Sequence, residues 1–310
     1  VRVLVTGGAG FIGSHLVEAY LRAGHEVAVA DNLSTGHRGQ VPPEARFFEA
    51  DVRRADAMEE VFALFRPQVV NHHAAQINVR RSVEDPLFDA DVNINGLIVL
   101  ANLAIRHAVS RLLFASSGGA VYGEQEVYPA GEDHPTFPLS PYGVSKLAGE
   151  KYLHYFGQVW GLNHVVLRYA NVYGPRQDPE GEAGVVAIFY TRLLAGQQPV
   201  INGDGLQTRD YIYVGDVAAL NLLLSDPAAP QGCFNVGTGR ETTVNEIFRL
   251  VAGACRADAP EVHGSPKAGE QRRSAISSSR VTARTGWRPS VDLETGMNLT
   301  CAHYRGGTPA

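Results

Sequence analysis

Tyr142 and Lys146 stand four residues apart in the stretch SPYGVSK. On a helix that spacing puts both side chains on one face, one above the other. A phenol ordinarily keeps its proton up to pH ~10, and a neighbouring ammonium favours the phenolate. A tyrosine tuned in this way can take up or release a proton near neutral pH. The chain has only three lysines, at 146, 151 and 267, and meets nearly every other need for positive charge with arginine. The same spacing also suits a surface helix whose tyrosine covers apolar area while the lysine points to water, and the pair alone does not separate the two.

A second constellation lies near the start of the chain. TGGAGFIGS places Gly7, Gly10 and Gly13 directly after a strand and at the opening of a helix. Glycines in such a turn let the backbone approach a pyrophosphate, which then sits at the positive end of the helix. Asp31 closes the next strand, where an acidic side chain hydrogen-bonds a ribose 2′-hydroxyl and repels a 2′-phosphate. Together these features predict NAD rather than NADP as cofactor. EADV, residues 49–52, ends the third strand, and there Asp51 and Val52 could flank an adenine; Asp51 suits a helix N-cap equally well.

The elements that must hold these residues alternate. VRVLVTG, EVAVADN, ARFFEAD, QVVNHHAA, SRLLFASS and NHVVLRYANVYG read as strands. Between them, FIGSHLVEAYLRAG carries an apolar stripe of Ile12, Leu16, Ala19, Tyr20 and Ala23 ending at Gly24, and DAMEEVFALF stops before Pro67. FDADVNINGLIVLANLAIRHA reads as one long helix, and the helix bearing Tyr142 is expected from Pro141 to about Gly157. Strands and helices at this spacing predict right-handed βαβ units and an α/β, doubly wound parallel sheet, a Rossmann fold. Ligands in such sheets sit at the carboxyl ends of the strands, where every motif above falls. Beyond Gly174 the pattern loosens into a smaller C-terminal lobe. The predicted division is residues 1–173 for the nucleotide-binding domain and 174–310 for the second lobe, with about 209–240 returning to the first.

Composition narrows the function. A formal net charge of −5 gives no basic surface for nucleic acid or a membrane. The first residues already read as a strand entering a glycine turn, so no secretory leader is expected, and no apolar run reads as a membrane span. Cys233, Cys255 and Cys301 are few, odd in number and without a CxxC, which fits packing residues in a reducing cytoplasm. His72 and His73 are adjacent at a strand end, so their side chains diverge, and no metal site is expected. Glu132 and Asp133 read as a polar turn rather than a glycosidase pair, and Arg80 and Arg81 as loop charges.

With TGGAGFIG, YGVSK and SSGGAVYG in one chain, the sequence resembles the extended short-chain dehydrogenase/reductases, and most of all the UDP-glucose (UDP-galactose) 4-epimerases. DNLSTG, HHAAQINVRRSV, RYANVYGPRQDP, GDGLQTRDYIYVGDVA, FNVGTG and GWRP extend the resemblance over nearly the whole length, in order. The resemblance implies that Tyr142 removes the 4-hydroxyl proton while C4 passes hydride to a tightly held NAD. Lys146 would bond the nicotinamide ribose and depress the tyrosine's pKa, and Ser117 would bond the sugar oxygen. The resemblance adds Phe11, Ile12, Asn32, His73, Ala74, Ala75 and Tyr169 to the cofactor's residues. SSGGAVYG has one residue more than the related SSATVYG, which leaves Ser116 as the alternative to Ser117.

The same fold hosts nucleotide-sugar 4,6-dehydratases, which resemblance says keep an Asp-Glu pair just before the VYG. Here those places are Gly119 and Ala120, which can neither give nor take a proton. The nearest later carboxylate, Glu124, lies beyond the VYG. On the substrate side the resemblance implies Asn171 at the nucleotide sugar, Arg209 at the diphosphate with Tyr211 in support, and Glu270 at the uridine ribose. Lys267 stands where the family usually has arginine, so Arg272 or Arg273 could share its role, or form a solvated basic loop. Ser274 stands where the family walls the sugar C2 substituent; a small residue there implies room for N-acetylated hexoses. The expectation is therefore a UDP-hexose 4-epimerase, with a homodimer built from the helices after Ala90 and around Tyr142 by resemblance. A UDP-uronate or UDP-pentose epimerase, a dehydratase and a non-catalytic NAD-binding protein are the alternatives.

Overall fold

The computed structural model of the protein describes residues 1–179, 184–266 and 271–306. The first half runs β1 (Arg2–Thr6), α1 (Phe11–Arg22), β2 (Glu26–Asp31), β3 (Arg46–Glu49), α2 (Ala55–Phe65), β4 (Val69–His72), α3 (Val79–Glu84), α4 (Pro86–Ala90), α5 (Gly96–Arg106), β5 (Arg111–Ser117), the one-turn α6 (Gly118–Val121), α7 (Pro141–Trp160) and β6 (His164–Tyr169). The second half adds β7 (Asn171–Tyr173), α8 (Val185–Leu194), β8 (Ile201–Asn202), β9 (Thr208–Arg209), β10 (Tyr211–Tyr213), α9 (Val214–Leu224), β11 (Gly232–Val236), β12 (Thr242–Thr243), α10 (Val244–Cys255), β13 (His263–Gly264), α11 (Ser279–Thr285) and α12 (Leu293–Gly306).

Seven strands form the central sheet in the order β11-β6-β5-β4-β1-β2-β3, with every neighbouring pair parallel. Strand residues alternate faces, so Val3 and Val5 of β1 join the core beneath α1 and α9. Leu4 between them joins the opposite core with α2, α5 and α7. Both faces are covered, which is why the strands read as nearly continuous apolar runs. Each fully buried Val or Leu contributes about 1.5–3 kcal/mol. A third core, centred on Phe189, Tyr190, Phe248 and Val251, holds α8, α10 and α12 together. β1 lies between β2 and β4, so the chain reverses its direction of travel across the sheet there. The crevice at the carboxyl ends of β1 and β4 is where such sheets receive ligands.

Three elements differ from their sequence-based expectation. α7 continues past Gly157 to Trp160 and stops at Gly161, which takes the left-handed conformation at φ +69°. Gly157 serves close packing instead: a Cβ there would lie 2.6 Å from Cε1 of His164. NHVVLRYANVYG is two strands, because β7 leaves the sheet to pair with β10. The long helix from Pro86 to Arg106 contains a π turn at Asp91–Asn95. That helical stretch is long and apolar enough to cross a membrane by length and composition. Its Leu97, Leu100, Ala101, Leu103 and Ala104 are nonetheless packed in the core beside the sheet.

Candidate active site

The glycine turn after β1 is built for close approach. Gly7 has φ +71°, and a Cβ on it would sit 2.5 Å from the backbone nitrogen of Ala74. A Cβ on Gly13 would lie 2.1 Å from the carbonyl oxygen of Gly7. Gly10 caps α1 without any side-chain acceptor for the first-turn amides, so Phe11, Ile12 and Gly13 open the helix at its positive end.

Asp31 ends β2 directly beside this turn. Its Oδ2 accepts from the Ala9 amide at 3.0 Å and its Oδ1 from Leu33 N at 2.8 Å. Burial raises its pKa, and the two backbone donors oppose the rise. The residues present fit a dinucleotide: a side-chain-free cradle, a helix N-terminus and a fixed carboxylate at the neighbouring strand end. Asn32 donates to Asp51 Oδ2 at 3.1 Å. Asp51 does not cap a helix; Arg54 occupies the N-cap of α2, and Asp51 instead pairs with Arg53 at 2.7 Å. Bonding from Arg53 holds the Asp51 carboxyl down at about 2. Val52 is buried, with a Cβ on Gly96 coming within 2.8 Å of its side chain.

β4 brings His73, Ala74 and Ala75 to the same crevice. His72 and His73 diverge as adjacent strand residues must: His72 Nδ1 meets Thr6 Oγ1 at 2.7 Å, and His73 Nε2 meets the Tyr169 hydroxyl at 3.0 Å. Burial pushes His73 down to about 3, so it is neutral. Its buried Nδ1 has no partner among the described residues. Tyr169 bonds Asn221 of α9, which also accepts from Asn71 at 3.0 Å. A buried polar chain therefore runs beneath the crevice from β6 to β4.

α7 starts at the N-cap Ser140, whose hydroxyl accepts from Gly143 N, with Pro141 at the first helical position. Tyr142 and Lys146 share its inner face, with Lys146 Nζ 5.8 Å from the Tyr142 ring centroid. Lys146 is buried and donates to the Ala115 carbonyl of β5 at 3.0 Å. Desolvation pushes its pKa down to about 8, while Asp89 pulls the other way. Ser117 is the last residue of β5. A Cβ on Gly119 would lie 4.0 Å from Ser117 Oγ and 3.8 Å from Asn171 Oδ1, so these two polar groups converge over a bare glycine. Ser116 faces away and gives its hydroxyl to Glu150 Oε1 at 2.6 Å.

The remaining candidate residues come from the second half of the chain. Asp210 is buried beside Arg209 and accepts from the amides of Thr238, Gly239 and Ile276, which ties three loops together. Ser274 is buried, and next to it Ala275 N donates to Gln125 Oε1. Arg209 Nη1 bonds the Thr208 carbonyl at 2.7 Å, and Tyr211 packs edge-on against Tyr173. Arg272 forks onto Asp204 at 3.0 and 2.9 Å, and Arg273 forks onto Glu241 while lying 3.8 Å above the Tyr128 ring. Both arginines are exposed and each carries a carboxylate partner at the surface. Lys267 and Glu270 lie outside the described residues.

Sequence reasoning missed several members of the site. Asn93, in the π turn, bonds the Gln76 backbone, Asp89 and Ser145. Glu150 holds Arg168 at 2.9 and 2.6 Å. Glu150 follows Lys146 by four residues, so the Tyr142–Lys146 face could have been extended one turn to find it.

Residues 3–237 match the NAD dependent epimerase/dehydratase family. The UDP-glucose 4-epimerase of Mycolicibacterium smegmatis is 46% identical over 311 residues, covering 98% of this chain and 99% of its own. The crystal structure of a UDP-glucose 4-epimerase with UDP-glucose from Thermotoga maritima superposes with a TM-score of 0.95 at 45% identity, covering 99% of both chains. That of the Thermus thermophilus UDP-glucose 4-epimerase in complex with NAD gives 0.94 at 48% identity, covering 99% of this chain and 100% of its own. With the family match over residues 3–237 and relatives this similar over almost the whole chain, this chain belongs to the NAD-dependent epimerase/dehydratase family.

Proposed function

We propose that this protein is a UDP-hexose 4-epimerase that interconverts UDP-glucose and UDP-galactose with NAD held in the β1–β4 crevice. The observation that carries the reading is Lys146 Nζ held 5.8 Å from the Tyr142 ring by the Ala115 carbonyl, two residues before Ser117, with Gly119 and Ala120 standing where elimination chemistry would need an acid and a base. Gly7, Gly10, Phe11, Ile12 and Gly13 would hold the pyrophosphate, Asp31 and Asn32 the adenine ribose, Asp51 and Val52 the adenine surroundings, and His73–Ala75 with Tyr169 the nicotinamide side. When bound, NAD supplies a hydride acceptor and donor at the sugar C4.

Tyr142 takes the proton of the 4-hydroxyl as base and returns it as acid to the opposite epimer. Lys146 keeps the phenolate accessible by its buried positive charge. Ser117 donates to the C4 oxygen and fixes its distance from Tyr142. Asn171, Arg209, Lys267 and Glu270 would hold the nucleotide so that the sugar can present either face. The small, buried Ser274 supports acceptance of N-acetylated hexoses as well. Residues 1–173 would carry the cofactor and 174–310 the nucleotide sugar, with β11 returning to the central sheet. Exposed Val144, Tyr152, Tyr155, Val159 and Trp160 on α7 support a homodimer through α5 and α7, and the free thiols of Cys233, Cys255 and Cys301 support a reducing, cytoplasmic setting.

The test is incubation of the purified protein, without added NAD, with UDP-glucose in heavy water, followed by NMR. UDP-galactose without deuterium at carbon is expected. A deuterated 4-keto-6-deoxy sugar would overturn the epimerase reading in favour of elimination.

A further inference from the structure

A fully buried ammonium needs a counter-charge, because desolvation otherwise neutralises it. Lys146 is 4% exposed, and among the described residues its Nζ has the Ala115 carbonyl as its hydrogen-bond acceptor. The ionisable groups around it come from several elements. On α7 they are Tyr142 and Glu150; at the end of β4, His72 and His73; on α4, Asp89. β5 contributes the Phe114 ring, 5.1 Å from Nζ; its one charged residue, Arg111, opens the strand and is spent on Asn163 and the carbonyls of Pro227, Ala229 and Pro230.

Most of these cannot serve. Burial holds His72 and His73 far below their ordinary range, so both are neutral. Glu150 gives both oxygens to Arg168. Asp85 and Asp91 flank the stretch, but Asp85 is exposed and caps α4 at Phe88 N, while Asp91 pairs with Arg53 at 3.3 Å. Asp89 differs from them all. It is 1% exposed; its Oδ1 accepts from Gln76 Nε2 at 2.8 Å and Asn93 Nδ2 at 3.1 Å, and its buried Oδ2 has no partner among the described residues. Asn93 Nδ2 also reaches Ser145 Oγ at 3.2 Å, and that hydroxyl donates to the Tyr142 carbonyl at 2.9 Å. The carboxylate is thereby tied to the helical turn that presents Tyr142 and Lys146.

We propose that Asp89 is the counter-ion of Lys146, a positioning residue whose buried charge keeps the ammonium protonated while Tyr142 works. Its role in turnover rests on the reading of Lys146 as the group that activates Tyr142; the charge coupling itself does not. The direction agrees with the electrostatics, since Asp89 is the group that raises a Lys146 pKa otherwise lowered by burial.

Asp89→Asn tests this, being isosteric and keeping an oxygen for Gln76 and Asn93. With only three lysines in the chain, ¹³Cε-lysine labelling gives few enough signals to follow, and Lys146→Met assigns the one of interest. Lys146 is expected to titrate about one pH unit lower in Asp89→Asn than in the wild type, and the alkaline limb of kcat to move in the same direction by a similar amount. Asp89→Glu keeps the charge. It should therefore leave the lysine titration within about 0.3 unit of wild type. An unchanged Lys146 titration in Asp89→Asn overturns the counter-ion assignment whatever the activity does. Full turnover by Lys146→Met would instead overturn the role of Lys146 itself, an outcome distinguishable from the first.

Discussion

Ser116 and Glu150 are joined by a 2.6 Å hydrogen bond between the tip of β5 and the third turn of α7. Glu150 in turn holds Arg168 of β6 through both carboxylate oxygens, and Arg168 reaches on to the Tyr122 hydroxyl at 2.9 Å. The next residue, Ser117, faces the opposite side, toward Gly119 and Asn171. The consecutive serines thus differ: Ser116 fastens the strand to the helix that carries Tyr142 and Lys146, and Ser117 is the one that the proposed function assigns to the sugar.

Breaking that fastening should be costly. Glu150 and Arg168 have side chains only 7% and 8% exposed, and removing one member of a buried pair strands the other charge. Glu150→Gln is expected to lose about 3–5 kcal/mol of stability in urea unfolding. The double variant Glu150→Gln/Arg168→Met should lose less than Glu150→Gln alone, because no charge is then left unpaired. A single-variant loss under about 0.5 kcal/mol would show that the pair is not part of the fold's framework.

Tyr142→Phe removes the phenol and keeps the ring. Its kcat should fall by about 10²–10⁴-fold, the usual contribution of a general acid–base group. NAD retained through purification should stay at the wild-type amount, since the cradle lies on β1, β2 and β4. A variant with more than about a tenth of wild-type kcat would mean that another group moves the proton.

Ser274→Tyr should act selectively. The serine is 3% exposed, and on the proposed reading a bulky ring there would fill the space beside the sugar C2 substituent. Turnover of UDP-N-acetylglucosamine is expected to drop at least about tenfold, with UDP-glucose changed by less than about threefold. Equal losses on both substrates would place Ser274 outside the C2 pocket.

The parts of this site that were legible in the sequence are those with local signatures. A glycine turn needs its neighbours only within one strand and one helix, and the Tyr142–Lys146 pair needs only a helix. Asp89, Asn93 and Arg168 were not legible, because their meaning depends on partners brought by other elements. Arg168 sits in a strand that reads as apolar, and its carboxylate comes from α7. Glu132 reads as part of a polar turn, yet its side chain is 3% exposed and paired with Arg280. Arg272 and Arg273 look like spare phosphate ligands until Asp204 and Glu241, more than thirty residues away, are folded against them. The split between β6 and β7 likewise follows from tertiary pairing with β10, which no local propensity announces.

A final prediction concerns acid. His15, on α1 just behind the glycine turn, accepts from Arg176 at Nδ1 (2.9 Å) and meets the Pro175 carbonyl through Nε2 at 2.9 Å. That geometry requires the neutral ring, with its proton on Nε2. Burial first, and then the Arg176 charge, push its pKa from 6.5 down to about 4. An unfolded chain would protonate the same histidine near pH 6.5, so between pH 6.5 and 4 the unfolded state binds more protons than the folded one. Stability therefore falls as pH is lowered through that window, and His15 alone accounts for about 2–3 kcal/mol of the loss. Thermal unfolding followed by circular dichroism at pH 7 and pH 4.5 should show the drop. In His15→Gln, which keeps an acceptor for Arg176 but cannot titrate, the drop should be smaller. If the two proteins lose the same Tm over that interval, the acid sensitivity comes from other groups, His72 and His73 first among them.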